Sequence, residues 1–168
     1  SPTKPTVPNN WGECLKSPLR KHWIAAAKVQ FTKNHNLAVY SLPLHRSLLP
    51  QDSKLLRAIL VPEVKKTEVP TIWELRARLC VVGTPQEEGI DFYSSYCATV
   101  ELSTVRFICA ITAALQYHVA VIDISNCFQR TLWKTLRRQF IRLPPYYIEW
   151  LQEFLKYKTD QTSNDLVV

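Results

Sequence analysis

VAVIDISNCFQ, residues 119–129, decides how this chain is read: an apolar, β-branched run ends in a carboxylate, Asp123, and a Ser125-Asn126-Cys127 turn leads on to Phe128. A carboxylate is costly to bury, so a strand ending in one delivers it to a cleft or a cation. The backbone N–H groups of the turn can then face an anion bound beside it. The stretch therefore predicts one pocket holding a metal-binding carboxylate, a backbone cradle and an aromatic ring. Spacing equally allows a plainer role, in which Asp123 only caps the helix that follows.

Outward from this stretch the periodicity changes on both sides. Residues 100–119, VELSTVRFICAITAALQYHV, carry Leu102, Val105, Ile108, Cys109, Ile111 and Leu115 around much of a helical circumference, which predicts a largely buried helix with Ser103 as a cap. Downstream come a helical turn through Thr131–Arg138 and a short strand, FIRLPP, residues 140–145. Pro144-Pro145 stops that strand, and YYIEWLQEFLKY, residues 146–157, begins a last helix. The polar TDQTSNDLVV ending and the absence of methionine read as a segment cut from a longer polypeptide.

The N-terminal half reads differently. SPTKPTVPNN, residues 1–10, holds three prolines and no periodicity, which predicts a flexible lead-in. Ser17-Pro18 caps an amphipathic helix over about residues 18–34, with Leu19, Trp23, Ala26, Ala27 and Phe31 at helical spacing. NLAVYSLP, residues 36–43, reads as a short strand and LHRSLLPQDSK as a loop. Residues 56–66 and 72–82 are β-rich and joined by a turn around Pro70, an antiparallel hairpin. On the second strand Arg76 and Arg78 project side by side, about 7 Å apart, a spacing suited to a phosphate. The alternative is a solvated stripe in which Glu74 pairs with one of them. GTPQEEGIDFYSS, residues 83–95, holds two of the three glycines and reads as an exposed connection. The class is α+β.

Composition narrows the function classes. The chain has 168 residues, 46% of them hydrophobic, enough for one domain with a core. No apolar run is long enough to span a bilayer and no signal-type apolar core opens the chain, which predicts an intracellular protein. Five cysteines, widely spaced and without a C-x-x-C pair, argue against zinc and against a disulfide framework. The four histidines are scattered. The net charge is +7, and the second half carries a purely basic run, Arg130, Lys134, Arg137, Arg138 and Arg142. That distribution fits a polyanionic partner, with a merely solvated basic face as the alternative.

The order SPLRKHWIAAAK, ELRARLCVVGTPQEEGIDFYSSYCATVELSTVRFICAITAA, VAVIDISNCFQRTLWKTLRRQFIRLPP resembles the opening part of copia-type retrotransposon reverse transcriptases. Those enzymes read KARLVARGFTQ, then D-Y-x-x-T-F-A-P-V, then D-V-x-x-A-F, then a strand ending in proline. The likeness covers residues 15 to about 150 and implies a right-hand polymerase fragment. In it, residues 1–14 lead in, 15–98 form a fingers-like region, 99–160 form part of the palm, and 161–168 are a polar tail.

On that resemblance Asp123 matches the first catalytic, magnesium-binding aspartate. Ser125, Asn126 and Cys127 match the backbone along the incoming nucleotide triphosphate, and Phe128 the aromatic gate against a 2′-hydroxyl. Arg76 and Arg78 match the fingers residues that hold the triphosphate. The implied partners are an RNA template, a DNA primer, deoxynucleotide triphosphates, and the rest of the polyprotein with the remaining palm, thumb and RNase H. The implied location is the cytoplasm and virus-like particles. Val82, Cys127 and Tyr96-Cys97 depart from the family pattern, and no Y-x-D-D occurs anywhere, so the chain alone is expected to be inactive. The alternative is a non-catalytic nucleic-acid-binding module from a decayed or repurposed element.

Overall fold

In a computed structural model of the chain, residues 5–67, 69, 72–94, 98–131, 137–157 and 166–168 are described. The first element is α1, Trp11–Lys16, capped where Glu13 N–H donates to Asn10 Oδ1 at 3.0 Å and Asn9 N–H donates back to the Glu13 carboxylate at 2.9 Å. It buries Cys14 completely. The lead-in expected through residue 14 is thus corrected: proline-rich composition marks residues 1–10, but a capping pair restarts the backbone at Asn10.

Helix α2, Arg20–Asn36, buries Trp23, Ala27, Phe31 and Asn34, a stripe at three- and four-residue spacing. It lies against an antiparallel hairpin of β2, Lys54–Lys66, and β3, Trp73–Val81, paired from Ala58–Val81 to Lys66–Trp73. Leu56 and Leu60 of β2 and Ala77 of β3 point into this layer and are buried. Pro62 sits opposite Ala77, where β2 has a partner on one side only, so its missing N–H costs no ladder bond.

The sheet has five strands in the order β1 (Leu44–His45), β5 (Leu166–Val167), β4 (Gln139–Arg142), β2, β3. Strand β4, Gln139–Arg142, runs parallel to the start of β2, with Leu55 opposite Phe140 and Arg57 opposite Arg142. Strand β5, Leu166–Val167, pairs antiparallel with both β4 and β1, Leu44–His45. Leu166, Val167 and Val168 are all buried, so the tail expected at 161–168 ends inside the sheet. The strand expected at residues 36–43 does not form, and only Leu44–His45 pairs.

Helix α5, Tyr147–Phe154, closes the core over α2. Phe31 meets Tyr147 edge-on with ring centroids 5.1 Å apart and Trp150 at 6.0 Å. The Trp150 Nε1–H donates to Thr32 Oγ1 at 2.9 Å, and Lys28 reaches Glu153 at 2.8 Å. This one core draws residues from both sides of the expected boundary at 98/99, because β4 and α5 pack with the hairpin and α2.

The remaining segment departs most from expectation. Helix α3, Leu102–Ala114, forms but buries none of its residues. The helix is apolar around much of its circumference, and no described element covers it. The strand expected over 119–123 does not form either; residues 117–124 are irregular, and Val121 is 94% exposed. A β-run needs a neighbouring backbone to satisfy its N–H and C=O groups, and none of the described strands pairs with this one. Helix α4, Cys127–Arg130, is one turn long and follows Asn126 in the left-handed region at φ 59°.

Candidate nucleic-acid interface

Strand parity divides the basic residues. Residues directly opposite in a ladder share a face, so the pairs Glu63–Arg76, Val61–Arg78 and Lys65–Glu74 lie together on the side of the hairpin away from α2. Arg57 and Arg142, opposite each other across β2 and β4, lie on that same side. Arg138 precedes β4 by one residue, and its carbonyl still accepts from Lys54 N–H at 2.9 Å, which keeps it in the alternation with Phe140 and Arg142. Over β2, β3 and β4 the open face of the sheet thus gathers Arg57, Lys65, Arg76, Arg78, Arg138 and Arg142, all exposed, against Glu63 and Glu74, while at β5 Val167 on the same side is buried.

Two of these cations are already paired. Arg76 donates to Glu74 at 2.8 Å, and this bond holds the Glu74 carboxyl below its ordinary value. Arg78 grips Glu63 with both arms of its guanidinium, each at 2.8 Å. Such exposed pairs are weak, on the order of 0.2–1 kcal/mol, so a multiply charged phosphate can displace them. The two arginines do lie on one face as expected, and Glu74 does pair with one of them.

Arg137 belongs elsewhere. Opposite in parity to Arg138, it points inward and donates to both oxygens of Asp91, at 2.6 and 3.0 Å, and to Glu87 at 3.2 Å. Lys54 joins the group through Glu87 at 2.7 Å. Asp91 is fully buried; the Arg137 guanidinium holds its carboxyl below the ordinary value, and Lys54 first and Arg137 next do the same for Glu87. Gln139 Nε2–H donates to the Asp91 carbonyl at 3.2 Å. The connection expected to be exposed at 83–95 therefore carries a buried charge, and Arg137, expected on the nucleic-acid surface, ties that connection to β4. Lys134 lies outside the described residues.

Asp123 is exposed and lies outside the strands of this sheet. Ser125, Cys127 and Arg130 are exposed too, and Phe128 is 95% exposed, so among the described residues these side chains do not enclose the carboxylate. An open hollow of about 430 Å³ lies nearby, lined by Val29, Thr32, Lys33, Asn36, Leu37 and Asn126, without Asp123 or Phe128. The segment is tied to α2 by Gln129 Nε2–H, which donates to the buried Asn34 Oδ1 at 3.2 Å. Among the described residues no three His, Cys, Asp or Glu side chains gather where a metal ion could sit. A lone exposed carboxylate does not fit a two-metal centre.

Sequence reasoning missed Arg57, Lys54 and Asp91. The signal for Arg57 was its place on the outward parity of the first β-run. Its meaning depended on β4 lying beside β2 in parallel, which no local pattern announces.

The chain is similar to the retrovirus-related Pol polyprotein from transposon TNT 1-94 of Nicotiana tabacum, 26% identical over 121 residues. That likeness covers 72% of this chain and 9% of the polyprotein, and it supports an origin in a copia-type retrotransposon polyprotein. No family model and no solved structure matches the chain. Among the described residues no helix is long and apolar enough to cross a membrane.

Proposed function

We propose that this chain is the fingers and first part of the palm of a retroelement reverse transcriptase, and that by itself it holds nucleic acid without polymerising it. The observation that carries the reading is the likeness to a retrotransposon Pol polyprotein over 121 residues, joined to an open sheet face that presents Arg76 and Arg78 together with Arg138 and Arg142. In the longer polyprotein, template, primer and deoxynucleotide triphosphates would be the substrates, and Asp123 would supply one of the carboxylates that hold magnesium. The remaining palm, thumb and RNase H would complete the enzyme.

The test is primer extension. The isolated chain is expected to incorporate nothing on a primed RNA or DNA template with magnesium or manganese. A longer polyprotein containing it is expected to extend the primer and to lose that activity on Asp123→Asn. Incorporation by the isolated chain, abolished by the same substitution, would overturn the inactive-fragment reading. The lone position of Asp123 favours a second reading, a repurposed binding module; it predicts salt-dependent nucleic-acid binding and no activity even when the downstream sequence is restored.

A further inference from the structure

Arg57 and Arg142 face each other directly across the parallel β2–β4 ladder, and like charges so placed destabilise a sheet. Neighbouring strands are about 4.8 Å apart, so the two guanidinium groups can converge on one point above the sheet. Among the described residues neither has an ion-pair partner, while Glu63, Glu74, Glu87 and Asp91 are each engaged by another cation. The backbone beneath the pair is also tied down: Val82 N–H donates to the Arg57 carbonyl at 2.8 Å, and Arg137 anchors the start of β4 to buried Asp91. Two unpaired planar forks rising from neighbouring, tied-down backbone positions suit one tetrahedral dianionic or monoanionic oxyanion.

We propose that Arg57 and Arg142 form a clamp for a single phosphodiester group of a nucleic-acid strand lying across the open sheet face. Half-buried Phe140, between Arg138 and Arg142 on the same side of β4, offers a ring beside the clamp on which a base can stack, which favours a strand over free phosphate. The clamp rests on the nucleic-acid reading above and adds a residue outside every motif of the resemblance.

The experiment measures binding of a fluorescent 12-nucleotide single strand across a salt series, for the intact chain and for Arg57→Ala, Arg142→Ala and the double variant. Because both arginines hold one phosphate, each single substitution should weaken binding about five- to tenfold and lower the salt slope by about one, and the double should do little more. Melting of the double variant should stay level or rise as the like-charge contact disappears. Additive losses with a slope falling by two would overturn the clamp, as would unfolding of either single variant. Unchanged binding in the double variant, with the intact chain still binding, would overturn the clamp alone. Absence of binding by the intact chain would overturn the clamp and the functional reading together. Competition by inorganic phosphate at the strand's own affinity would assign the pair to free phosphate and overturn the strand.

Discussion

Alternation along β4 sends Arg137 inward to Asp91 and Arg138 outward to the open face, so these adjacent arginines answer differently to the same substitution. Arg137→Ala leaves a buried carboxylate without its main partner, the costly kind of charge removal. It is expected to lower the melting midpoint clearly, whereas Arg138→Ala leaves melting unchanged and weakens nucleic-acid binding; thermal melts beside a binding titration separate the two. Acid tests the same group. Asp91 and Glu87 titrate below their ordinary values in the fold, so their contribution is complete above about pH 5 and is lost as the pH falls through the carboxylate range. Asp91→Asn should flatten that acid limb of the stability profile while lowering stability at neutral pH. Phe128 makes the opposite case. At 95% exposure, its truncation to alanine in this chain should change stability by no more than about 0.5 kcal/mol. In a longer, active polyprotein the same change should raise ribonucleotide use by on the order of 1 to 4 kcal/mol of lost discrimination, measured as an incorporation ratio. A large loss of stability in the isolated chain would make the ring a packing residue instead.

Elements with a strong local signature were legible in the sequence. The stripe Trp23, Ala27, Phe31 gave α2, alternation around Arg76 and Arg78 gave the hairpin, and the aromatic run after Pro145 gave α5. The central strand at 119–123 was not, because an apolar β-branched run specifies a preference and not a partner. Its hydrogen bonds have to come from another backbone, and none of the described strands supplies them. The candidate site divided in the same way: parity placed Arg76 and Arg78 correctly, but the inward turn of Arg137 depended on Asp91, remote in sequence and read as loop. The aromatic contact between α2 and α5 is the joint holding the helices together, with Trp150 in ring contact with Phe31, His35, Tyr147 and Phe154. Trp150→Ala, which also removes the indole N–H that donates to Thr32 Oγ1, should cost about 3–5 kcal/mol in a denaturant melt. A loss below about 1 kcal/mol would mean that α5 is held by β4 and β5 alone.

Across the molecule, apolar surface is unevenly distributed. The sheet, α2 and α5 bury most of theirs, while α3 and residues 117–124 leave Val105, Phe107, Ile108, Ile111, Val121 and Ile122 in water. A surface of that kind marks an interaction site or an aggregation liability. The parallel pairing of Lys54 with Gln139 and Leu55 with Phe140 has a kinetic meaning as well. Each contact closes a loop of more than eighty residues, and β5 adds a still longer one to β1, whereas the β2–β3 hairpin closes over a few residues. Ring closure grows costlier with length, so the hairpin can form early and the strand bearing Arg142 must dock late. In pulse-labelled hydrogen exchange during refolding, the amides of Val61 and Cys80, which face across the hairpin ladder, should gain protection before those of Ile141 and Val168. The Arg57–Arg142 pair then comes into being only in the last step of folding, so any intermediate that keeps the hairpin but lacks β4 would carry half of the clamp.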